Sequence, residues 1–94
     1  MYKPNPVDTS GVCLSDDLLK LTEKIAENVH EVWAESRMQE GWIYGDVRND
    51  AKKETPCLVP YSELSENEKS YDRNTALETI KLIIKLGYDI RYTL

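Results

Sequence analysis

Ninety-four residues, 40% hydrophobic and 31% charged, make one small domain whose apolar residues recur too regularly for a disordered chain. A formal charge of −5 argues against non-specific nucleic-acid binding and against an anionic membrane surface, since both need a basic face. No apolar run approaches the roughly 20 residues of a membrane span, and "MYKPNPVDTSG" lacks the apolar stretch of a secretion signal, so the expected location is the cytoplasm.

Residues 1–14, interrupted by Pro4, Pro6 and Gly11, read as an arm packed at Val7, Val12 and Leu14. Ser15 followed by Asp16 and Asp17 is a helix start: a hydroxyl caps, and acids sit in the positive first turn. Leu18, Leu21, Ile25, Val29, Val32 and Trp33 then recur at steps of three and four, with Ala26 beside them. Nothing breaks the pattern before Gly41, which predicts helix 1 over 16–40. Residues 41–61 change character: "WIYG" alternates, a polar turn follows, and Pro56 and Pro60 rule out a helix interior. This is an extended connector with one or two short strands.

Helix 2 is predicted over 62–87, starting near Ser62 or Ser65. Ser65-Glu66-Asn67-Glu68 fits a capping box, in which the serine oxygen meets the third amide and Glu68 reaches back. Tyr71, Leu77, Ile80, Ile83, Ile84 and Leu86 form its apolar stripe, and Gly87 closes it. Residues 88–94, "YDIRYTL", alternate and are rich in β-formers, so a short strand is expected. The fold class is therefore mainly α: two long antiparallel helices, an extended or irregular connecting segment and a short β element.

There is no Phe, so Trp33, Trp42 and six tyrosines carry the aromatic load. Trp33 and Tyr71 are assigned to the core. Trp42 and Tyr44 stand at i and i+2 of an extended piece and so share a face. They are either packing or a flat surface on which a purine could stack. Arg37 and Arg48 are the nearest guanidiniums for an anion. Asn49 and Asp50 read first as turn-fixing side chains and otherwise as part of such a site. The segment's basic residues, Arg48, Lys52 and Lys53, are balanced by Asp46, Asp50 and Glu54, so no phosphate cradle is written there.

Cys13 and Cys57 lie far apart and outside any CxxC pair. Without a secretion signal they read as two free, buried thiols, although one bridge is possible on count. His30 lies one position from the apolar stripe, where a histidine is usually packed and hydrogen-bonded. A Cys57–His30 nucleophile would need the two to meet, and spacing gives no sign of that. "DVRNDAKKE" carries Arg48 at its third position and Ala51 where an EF-hand needs glycine, so it is no calcium loop. No cofactor or metal set is written in the chain, and no enzyme is expected.

Taken in order, "AENVHEVWA" at 26–34, "GWIYG" at 41–45, "RND" at 48–50, "PCLVPY" at 56–61 and "LGY" at 86–88 closely resemble the RyR domain. This repeat occurs in pairs in the cytoplasmic part of ryanodine receptor channels and as isolated modules in prokaryotic proteins; the present chain resembles a single-copy member. The likeness runs from about Pro6 to Ile90. Thr55 departs from it, standing where the family usually has a histidine. The resemblance implies a mostly helical fold with a short β element and non-enzymatic work; the candidate ligand contacts read from the residues themselves are Trp42, Tyr44, Arg48, Asn49, Asp50 and Arg37. Its paired repeats accommodate an adenine nucleotide, which makes such a nucleotide, or a related nucleotide signal, the expected ligand. The same pairing implies a homodimer imitating the tandem pair. The other reading is a structural or self-association domain with no small-molecule ligand.

Overall fold

The computed structural model describes all residues, 1–94. Helix α1 spans Asp16–Gln39 and helix α2 spans Glu66–Lys85. Between them lie β1 (Ile43–Tyr44), β2 (Glu54–Thr55) and a 3₁₀ turn, Tyr61–Glu63. The chain is mainly α, as its periodicity predicts.

Both helices begin and end by the same rules. Ser15 Oγ accepts from the Leu18 amide at 3.3 Å, and Ser65 Oγ accepts from the Glu68 amide at 3.2 Å. The capping box at Ser65 is only half made, because the Glu68 carboxylate accepts the Cys57 thiol at 2.9 Å instead. At the far ends Gly41 (φ +92°) and Gly87 (φ +98°) take the left-handed conformation. The amides of Gly41 and Trp42 then close on the Met38 and Arg37 carbonyls, and those of Gly87 and Tyr88 on Ile84 and Ile83. These are two Schellman ends, built on glycine because it alone enters that region without penalty.

β1 and β2 pair in parallel, Ile43 beside Glu54 and Tyr44 beside Thr55. A parallel return normally needs about a dozen residues. Here residues 45–53 suffice, because the strands are two residues long and the link folds back on itself. Asn49 pairs antiparallel with Glu54, and Asn49 Oδ1 accepts the Lys52 amide at 3.1 Å to fix the turn. A Cβ on Gly45 would lie 2.7 Å from the Glu54 Cβ, so the strands close only over glycine. Gly45→Ala is expected to cost about 1–3 kcal/mol and to speed hydrogen exchange at the Ile43 and Gly45 amides. Unchanged exchange there would contradict this account.

The helices meet through small residues. Ala26 and Ala76 are buried with Tyr61 and Leu64, and Ile25, Cys57 and Val59 pack at the edge of that cluster. Ile80 is the one large side chain buried almost completely. A charged clamp spans the helices: Arg73 donates from Nε and Nη2 to both Glu23 oxygens, at 2.8 and 3.0 Å, and from Nη1 to Glu66 at 2.9 Å. Its hydrogen bonds hold both carboxyls below the ordinary glutamate range. The Tyr61 hydroxyl also donates to Glu23, at 3.0 Å. The arm docks through Thr9, whose hydroxyl donates to Glu78 at 2.6 Å.

Several expectations are corrected. Residues 88–94 form no strand; the β element lies wholly in the connector. The tail's only backbone bond is the Schellman contact of Tyr88, so its alternation has no partner strand to satisfy. Tyr71 is 72% exposed rather than core, Val7 is exposed, and Cys13 is an exposed free thiol. Trp33 is half-buried. On α1 the buried positions are Thr22, Ala26 and His30, not the apolar stripe. Leu18, Ile25 and Val29 of that stripe are half-buried, and Leu21 and Val32 are exposed. Within α2, Ile83 and Leu86 are likewise exposed. No helix is long and apolar enough to cross a membrane.

Candidate functional site

The Schellman end of α1 explains where Trp42 sits. As the second residue past the helix cap, its amide is fixed at 3.0 Å to the Arg37 carbonyl. That bond brings the indole over the Arg37 side chain, whose Cζ lies 5.4 Å from the ring centroid. Arg48 comes from the connector and places its own Cζ 5.8 Å from the same ring. Arg37 also lies 5.9 Å from the Trp33 ring, one turn earlier on α1. Trp33 stacks on His30 with centroids 5.5 Å apart. A continuous row of flat groups thus runs from the core to the surface: His30, Trp33, Arg37, Trp42, Arg48. Such cation–aromatic contacts are worth about 0.5–1 kcal/mol each when exposed.

The row ends in cations with donors to spare. Arg48 uses Nε on Asp50 at 2.8 Å, and Asp50 pushes the guanidinium further above its ordinary value. Its Nη groups make no hydrogen bond within the chain. Arg37 touches Glu40 only at 3.5 Å. Trp42 itself is half-buried.

The other candidates serve different ends. Tyr44 is 53% exposed, and its hydroxyl donates to Asp46 at 3.0 Å, which pushes the phenol up. No ring contact joins Tyr44 to Trp42, so the structure does not assemble the two into one stacked platform. Asn49 fixes the turn, and Asp50 neutralises Arg48. Arg37, Trp42 and Arg48 are therefore the residues brought together. Three main surface grooves of about 550, 610 and 580 Å³ lie elsewhere, and none is lined by a candidate residue.

Two features were not foreseen from the sequence. Lys53 adopts φ +54° in the tight turn and donates from Nζ to the Glu40 carbonyl at 2.7 Å, capping the negative end of α1 from the connector. Thr55, buried on β2, accepts the Cys57 amide at 3.2 Å through its hydroxyl. The turn-forming polarity of 45–53 hinted at the first, and Thr55 stood out only as a departure from the family pattern.

The thiol and the imidazole are committed to separate partners. His30 is 4% exposed and donates from Nε2 to the Val59 carbonyl at 2.7 Å, with Nδ1 4.0 Å from Asp72. Burial raises the Asp72 carboxyl, and His30 partly offsets that. Burial, then the Glu68 carboxylate, push the Cys57 thiol up, the reverse of what activates a nucleophile.

These features define a mainly α module: two helices, a strapped connector, and an arginine-bracketed tryptophan at one helix end. The family model for the RyR domain matches residues 2–92. The chain belongs to the RyR domain family, a receptor repeat rather than a known enzyme family.

Proposed function

We propose that this chain is a non-enzymatic association module that pairs with a second copy of itself. The observation that carries this reading is surface. The chain exposes 7489 Å², whereas a folded monomer of 10.9 kDa is expected to expose about 5,600 Å². Its radius of gyration is 16.1 Å within a slab of 45 × 44 × 23 Å, against about 12 Å for a compact chain of this length. Arm and tail account for part of the excess. The helices add to it through Leu19, Val32, Met38, Tyr71, Ile83 and Leu86, all exposed. The whole excess is roughly 1,900 Å², so a helical share of about half would match the roughly 1,000 Å² per partner at which obligate homodimer interfaces begin, and closed two-fold dimers are the commonest oligomers. The reading keeps the chain in the cytoplasm, where the free thiols Cys13 and Cys57 stay reduced.

Sedimentation equilibrium at micromolar protein tests it. The expected mass is twice 10.9 kDa, falling to the monomer in Val32→Glu/Met38→Glu. A monomer at millimolar concentration overturns the reading.

A second reading is favoured by a different observation, the two guanidiniums within 6 Å of a half-buried tryptophan. It makes the chain a sensor of an adenine nucleotide or related nucleotide signal. The base would lie at Trp42, and phosphates would take the free donors of Arg37 and Arg48. A ligand at 100 times its Kd stabilises by about 2.7 kcal/mol, roughly a 10–20 °C rise in Tm. The expected result is such a rise with one member of an adenine and guanine nucleotide panel, lost in a folded Trp42→Ala variant. No rise with any member removes this reading and leaves the row of flat groups as packing.

A further inference from the structure

The groove of about 550 Å³ lies between the first turns of α1 and the tail, at the opposite end of α1 from Trp42. Its floor is apolar: Leu18 and Leu21 from the helix, Ile90 and Tyr92 from the tail. Its rim is basic, with Lys20, Lys24 and Arg91 against Asp17 alone. Lys20 and Lys24 stand one turn apart on α1, and neither enters an ion pair within the chain. Arg91 leans on Asp89 at 3.0 Å through Nε. In a chain of net charge −5, these two lysines set unpaired positive charge beside a greasy floor.

We infer that this groove binds an amphipathic anion, a long-chain carboxylate whose alkyl tail lies on Leu18, Leu21 and Ile90 and whose head meets Lys20 and Lys24. The volume falls within the range of small-molecule sites, and the mix of apolar lining with a few directed charges is theirs too. Lysine suits the head because its long stem lies along apolar surface while the ammonium reaches a carboxylate at the edge. The tail makes no backbone hydrogen bonds beyond Tyr88, so it can settle on an alkyl chain without breaking a ladder. This inference is independent of the association reading and of the Trp42 site.

The test is titration of the full chain with sodium dodecanoate below its micelle concentration, followed by amide chemical shifts and calorimetry. The expected result is one site with shifts at Leu18, Leu21, Ile90 and Tyr92. Affinity is expected to fall roughly tenfold in Lys20→Gln/Lys24→Gln. Both lysines are exposed, so the double variant keeps its fold, which circular dichroism checks. Dodecyltrimethylammonium, with the same chain and the opposite charge, is expected not to bind there. Equal binding of that cation, unchanged affinity in the double variant, shifts confined to other surfaces, or no binding of dodecanoate would each overturn the inference.

Discussion

Ile80→Ala is expected to lower the melting midpoint by about 10–30 °C. Ile80 is 2% exposed and is the only large side chain buried to that degree. Truncating such a residue removes its transfer energy and leaves a cavity, together about 2–5 kcal/mol. Each kcal/mol moves Tm by roughly 4–8 °C in a domain of this size. Only ten residues of 94 are buried here, so few other contacts can absorb the loss. Ile80→Val is expected to cost only about 0.5–1.5 kcal/mol. Thermal unfolding by circular dichroism measures both. A drop in Tm of a few degrees in Ile80→Ala would mean that the helices are held chiefly by the Glu23–Arg73–Glu66 clamp.

The helix ends were legible because their chemistry is local. Ser15, Ser65, Gly41 and Gly87 each act within four residues, and each does what its residue type predicts. The buried face of α1 was not legible. Thr22, Ala26 and His30 lie one residue, hence roughly 100°, around the helix from Leu21, Ile25 and Val29. Periodicity finds the most apolar stripe, whereas the meeting of two helices selects residues small enough to let backbones approach. Ala26 and Ala76 provide that approach, and Tyr61 and Leu64 from the connector close it. The apolar stripe is left half covered, which is the physical root of the association reading.

The same division runs through the candidate site. The turn chemistry of Asn49 and the placing of Arg48 beside Trp42 follow from short-range geometry. Whether Tyr44 joins Trp42 depended on how β1 pairs, and the parallel pairing with β2 leaves Tyr44 bonded to Asp46 instead. Glu68 shows the limit of a local motif. The residue is where a capping box needs it, but the Cys57 thiol, 11 positions away in sequence, takes its carboxylate.

His30→Ala is expected to be the second most damaging change, at about 2–4 kcal/mol. The ring stacks on Trp33 and lies 6.2 Å from Tyr61, so its loss opens a void between α1 and the connector. Its Nε2–H is the donor that meets the Val59 carbonyl, which would be left without that partner. A buried polar group deprived of its partner costs about 1–3 kcal/mol by itself. His30→Gln separates the two contributions. Its side-chain amide can still donate toward Val59 but cannot stack on Trp33, so roughly 1 kcal/mol of the loss should return. The readouts are urea unfolding for the magnitude and tryptophan fluorescence for the location, since Trp33 reports the stack. A loss below about 1 kcal/mol in His30→Ala would show that the connector does not depend on this histidine. The imidazole would then be a tolerated passenger of the core. A full loss with partial recovery in His30→Gln would make it the pin that fastens residues 57–61 to α1, and with them the inner end of the row that reaches Trp42.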